Sequence, residues 1–179
     1  MDKFRRARVV ALQTLYSYEL NSGQDIPEEM IRERVKNDEE SIRYARRLVL
    51  GVPLHQKEID EKIESSLRNW RLNRLAATDR NILRVGVYEL MFSDEPVAII
   101  INEAIEIAKE YGDKKSGGFV NAVLDNIRKK IEEERASRNA TKGEDEESDL
   151  IETDDYSNGI ASDGSEAREI SEKNEESEA

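Results

Sequence analysis

Between Pro96 and Gly112, the residues Val97, Ile100, Ile101, Ala104, Ile107, Ala108 and Tyr111 recur at helical spacing and form one unbroken apolar stripe. Proline before the first stripe residue and glycine after the last match the preferences of helix ends. The next segment repeats the spacing with Val120, Val123, Leu124, Ile127 and Ile131. Before them, DRNILRVGVYELMF is apolar around most of its circumference, which predicts the most enclosed helix, from Asp79 to Phe92, with Thr78 as N-cap. Further upstream, Pro27 begins a short helix and residues 39–50 form a longer one. Gly51 and Pro53 interrupt, and another helix runs over 54–67. Strand alternation never persists beyond a few residues. The expected fold is all-α, a single bundle of about seven helices.

Charge locates the end of that bundle. Residues 132–179 carry 18 acids against 5 bases, leaving 22 acids and 23 bases in residues 1–131, so the chain's formal −12 belongs to its tail. From about Arg135 the isolated Leu150, Ile151, Tyr156, Ile160 and Ile170 cannot bury enough surface to offset chain entropy. The reading is a helical domain over 1–134 and a disordered acidic tail over 135–179. Cysteine is absent, which excludes disulfides and thiolate metal sites, and His55 is the one histidine, so no cofactor or metal is expected. No apolar run approaches the roughly 20 residues needed to span a bilayer, and the charged start leads into no signal-like stretch. The expected location is the cytoplasm, without membrane attachment.

Against this background the start of the chain is unusual. Lys3, Arg5, Arg6 and Arg8 precede a segment with two helical stripes, Phe4/Ala7/Ala11/Leu15/Tyr18 and Val9/Leu12/Tyr16/Leu20, so the first helix touches neighbours on two sides. Cations at a helix N-terminus oppose the macrodipole, and something outside the helix must compensate. An anion with phosphates would use both the guanidinium forks and the free N–H groups of the first turn; simple solvation is the alternative. Nucleic acid competes with solvation only if aromatic rings able to stack on bases lie near the cations.

Four segments in order, RRARVVALQTLYSYEL, WRLNRLAATDRNILRVGVYELMF, VAIIINEAIEIAKEYG and FVNAVLDNIRKKI, resemble the NusB family of transcription antitermination proteins over nearly all of residues 3–131. The resemblance implies an all-helical, noncatalytic RNA-binding protein that pairs with the ribosomal protein NusE. Together the two would recognise single-stranded boxA RNA of nascent ribosomal transcripts and help the RNA polymerase antitermination complex read through. Carried over to this chain, it implies phosphate contacts from Lys3, Arg5, Arg6 and Arg8. It implies base stacking by Tyr16, Tyr111 and Phe119, with Lys114 and Lys115 beside the latter two rings on the connector DKKSGG. Tyr16 also fits a core ring with its hydroxyl at the surface.

The remaining polar residues read as structural. Asn102 and Asn121 are expected to satisfy internal backbone groups. Arg68, Arg71, Arg74, Arg80 and Arg84 surround Trp70; some extend an RNA path, and several, Arg84 first, are expected to pair with Glu64, Asp79 or Glu89. Enzyme readings find no support: His55 has no accompanying nucleophile motif, and the GG of KKSGGFVN lacks Walker spacing. Two alternatives to the RNA-binding factor stay open, a protein-only helical adaptor and a stand-alone relative of the NusB-like domain of an rRNA methyltransferase.

Overall fold

A computed structural model describes residues 3–23, 28–35, 38–68 and 70–148, with side chains to residue 139 except that of residue 28. The described residues form seven α-helices: α1 (Arg5–Leu20), α2 (Glu28–Val35), α3 (Glu39–Leu54), α4 (Gln56–Glu64), α5 (Ala77–Phe92), α6 (Val97–Tyr111) and α7 (Ser116–Ser148). A short 3-10 turn, Leu72–Arg74, lies between α4 and α5. The all-helical expectation holds. By contacts the chain divides into two units, residues 1–139 and 140–179, and the bundle is the first.

Helix α5 is the hub, packed against α1, α3, α4 and α6. Its residues from Asn81 to Leu90 are all buried, as its all-round apolar sequence predicts. Glycines allow two of these approaches. At Gly86 an added Cβ would sit 3.0 Å from a Leu124 methyl carbon of α7, and at Gly51 it would sit 2.3 Å from the Tyr88 ring. Helix α6 starts after Pro96 and stops at Gly112, matching the expected bounds.

Several expected boundaries move. Helix α3 continues through Gly51 and Pro53 to Leu54, and α4 ends at Glu64. Pro53 has no N–H to give the Val49 carbonyl, but its ring-fixed φ suits a helix and the turn still closes behind it, the His55 N–H reaching the Gly51 carbonyl at 3.0 Å. Thr78 is not a cap: α5 opens at Ala77 behind Ala76, which leaves Thr78 inside the first turn. Ser116, Gly117 and Gly118 are helical rather than connector. Asp113 organises that corner, accepting from the N–H groups of Lys115 (2.6 Å) and Ser116 (3.0 Å).

Residue 135, the expected end of the folded body, is not a helix end. Helix α7 runs on to Ser148, and the guanidinium of Arg135 donates to the Leu90 carbonyl at 3.1 Å while Glu134 pairs with Lys62 at 2.9 Å. The expectations for residues 149–179 and for a helix start at Pro27 lie outside the described residues.

Candidate nucleic-acid interface

The compensation that the N-terminal cations of α1 require comes largely from within the protein. Arg8, expected to contact phosphate, is instead a core residue with 1% exposure, its Nη2 2.8 Å from Glu89 Oε1 and its Nε donating to both Glu89 oxygens at 2.9 and 3.1 Å. Tyr44 completes the cluster, donating its hydroxyl to Glu89 and accepting from Arg8 Nη2 at 3.3 Å. Burial pushes the Glu89 carboxyl up, and the charge and hydrogen bonds of Arg8 and the Tyr44 hydroxyl pull against it. A guanidinium so placed is withdrawn from any external anion.

Arg5 is also engaged. Its Nε donates to Glu103 Oε2 at 2.8 Å across the α1–α6 contact, with both side chains largely buried and Glu106 and Glu110 nearby. Lys3 pairs with Glu40 on the surface. Arg6 differs from all three. It is exposed, its Nε donates to the Arg34 carbonyl at 2.7 Å, and it makes no ion pair among the described residues.

That bond ties Arg6 to Arg34 at the edge of a groove of about 280 Å³ between α1, α2, α5 and α6, lined by Gln13, Tyr16, Arg34, Thr78 and Tyr111 among others. Tyr16 and Tyr111 are each 38% exposed, so both rings form rims, and Tyr16 is not sealed in the core. Arg34 extends over Gln13, its Nη1 3.3 Å from Oε1. Burial and the neighbouring Glu110 raise the Tyr111 hydroxyl pKa while the charge of Arg6 opposes them, which places Arg6 within electrostatic reach of that ring. Arg34 and Thr78 escaped sequence reasoning: α2 is too short for its stripe to orient Arg34, and Thr78 resembles a cap.

Phe119 lies in the first turns of α7, half-buried against the core. The Ser116 hydroxyl lies close enough to Asp79 to favour its ionised form, so α7 begins beside the start of α5, the same end that supplies Thr78 to the groove. Lys114 and Lys115 are exposed on the connecting turn.

The second basic group divides. Arg80 pairs with Glu19, and Arg84 pairs with Asp60 at 2.8 Å and with Glu19 at 3.2 Å, so the partners are Glu19 and Asp60 rather than the expected Glu64, Asp79 and Glu89. Burial resists ionisation of Glu19, but Arg80, Asn81 and Arg84 outweigh it and hold the carboxyl below its ordinary range. Asn102 and Asn121, expected to be internal, are exposed, each one position off its helix's apolar stripe. No group of acids and histidine among the described residues is arranged to hold a metal.

Known proteins resemble the chain along most of its length. The NusB family model matches residues 5–129. The transcription antitermination protein NusB of Anaeromyxobacter dehalogenans is 45% identical over 127 residues, covering 68% of this chain and 87% of its own. The solved structure of T. maritima NusB superposes with a TM-score of 0.65 at 39% identity, covering 72% of this chain and 92% of its own. A structure of the antitermination factors NusB and NusE in complex with dsRNA matches with a TM-score of 0.63 at 33% identity, covering 72% and 98%.

Proposed function

The chain belongs to the NusB family of transcription antitermination proteins, and on that footing we propose that its groove between α1, α2, α5 and α6 holds single-stranded boxA RNA of ribosomal transcripts, alongside NusE. The role is noncatalytic. One observation carries the reading: two half-exposed tyrosines, Tyr16 and Tyr111, share a groove with Arg34, and Arg6, which makes no ion pair among the described residues, stands at its edge. Rings that can stack and cations that no acid neutralises are what a single-stranded polyanion requires. The neighbouring structure that contains NusE and RNA supports both partners.

Within this reading Arg6, Arg34, Lys114 and Lys115 supply long-range attraction, and Tyr16, Tyr111 and Phe119 supply stacking. Lys3 and Arg5 act mainly through the acids they hold. The action takes place at the transcribing polymerase in the cytoplasm; no described helix is long and apolar enough to cross a membrane.

Binding of a boxA-like RNA and of a scrambled strand, each with and without NusE, tests the proposal. The expected result is preference for boxA that strengthens with NusE, and a linear fall of log affinity with log salt. Equal affinity for both strands, or no binding under either condition, would favour a protein-only adaptor.

A further inference from the structure

The connector from α4 to α5 carries the protein's single tryptophan, Trp70, and leaves it 60% exposed. It is the most exposed of the large aromatic rings among the described residues, ahead of Tyr16, Phe92 and Tyr111. Arg68, Arg71 and Arg74 flank it, all exposed and all without an ion pair among the described residues. Arg5, Arg8, Arg80, Arg84 and Arg128 each hold a carboxylate, whereas among the described residues Arg6 and Arg34 at the tyrosine groove do not. Around Trp70 the three guanidiniums without an ion pair among the described residues cluster about one open indole, as Arg6 and Arg34 do about the tyrosines.

The connector just beyond the ring is held in place. Leu72, two residues on, is buried, and the guanidinium of Arg80 donates to the carbonyls of Leu72 (3.3 Å) and Leu75 (2.9 Å) while Glu19 anchors it from α1. The connector backbone after Trp70 is thus fixed from beneath, which limits the ordering that binding there requires. The same connector leads directly into α5, whose Thr78 lines the tyrosine groove. On the Asn73 side Asp60, Glu61 and Glu64 line a neighbouring groove and repel a polyanion from it.

We propose that Trp70 is a second stacking platform for the RNA, with Arg68, Arg71 and Arg74 as its phosphate-binding rim. The inference rests on the single-stranded RNA reading above and extends it to a site outside the tyrosine groove. A planar base matches the indole face, and the flexible cationic rim suits a backbone of variable course.

Because Trp70 is the one tryptophan, its emission reports on this site alone. The full chain is titrated with the boxA-like RNA while fluorescence anisotropy of a label on the RNA follows total binding. The expected result is quenching of Trp70 that tracks the anisotropy, about tenfold weaker binding for Trp70→Leu, and recovery with Trp70→Phe. Arg71→Ala with Arg74→Ala should lower the salt slope. RNA that binds by anisotropy with Trp70 emission unchanged overturns the platform and leaves the groove reading standing; absence of RNA binding overturns both. A change in emission caused by NusE alone, with no further change when RNA is added, assigns the ring to the protein partner and also overturns the proposal.

Discussion

Arg8 and Glu89 face one another across the α1–α5 contact with 2.8 Å between Nη2 and Oε1, and each is 1% exposed. This pair, with Tyr44 from α3, ties three helices together at the point where the first helix carries its cations. Removing one member leaves the other buried without a counter-charge, which is worse than removing both. Arg8→Ala should therefore lower unfolding free energy by about 3–5 kcal/mol, whereas Arg8→Met combined with Glu89→Leu should recover most of it. Urea denaturation of the two variants decides the matter, and an Arg8→Ala protein of wild-type stability would refute the assignment.

The neighbouring arginines should behave differently. Arg6→Ala removes an exposed cation, so it should reduce the slope of log affinity against log salt by about one while shifting stability by less than about 0.5 kcal/mol. Arg5→Ala should do the reverse, lowering stability through the loss of Glu103's partner with a smaller change in slope. Binding titrations at several salt concentrations, paired with thermal melts, separate the two.

Stacking can be read ring by ring. Tyr111→Ala should cost about 1–3 kcal/mol of RNA binding if the ring carries a base. Phe119 is half-buried, so Phe119→Leu keeps much of the packing while removing the flat face, and a similar loss is expected. Calorimetric titration with boxA RNA measures both, and unchanged affinity in both variants would remove these rings from the interface.

Asp79 gives a pH test. Its Oδ1 is buried with no hydrogen-bond partner, and burial together with the charge of Asp113 raises its pKa above the ordinary 3.8 while Ser116 opposes them. A carboxyl whose folded pKa is raised penalises the native state wherever it is ionised, and the penalty fades as pH falls through the folded pKa toward the unfolded one. Asp79→Asn should thus stabilise the protein at pH 7, by up to about 1 kcal/mol, with the advantage vanishing below pH 3.8. Denaturant midpoints at several pH values measure it, and a variant less stable than wild type at pH 7 would show the carboxylate to be favourably held.

The helices and most of the core follow from the sequence alone, because the spacing of apolar residues is a local property: the stripe of α6, its proline start and its glycine stop were all legible, as was the enclosure of α5. Pro53 shows the limit of such reasoning, since a proline removes one backbone donor without by itself ending the helix there. The fate of each cation was a tertiary matter. Lys3, Arg5, Arg6 and Arg8 are alike in sequence, but the chain brings Glu103 to Arg5 from 98 residues away and Glu89 to Arg8 from 81, while among the described residues no acid pairs with Arg6. Electrostatic energy depends on distance in space and on burial, neither of which is written in the spacing of residues along a helix, so only the packed bundle could decide which arginine faces the groove.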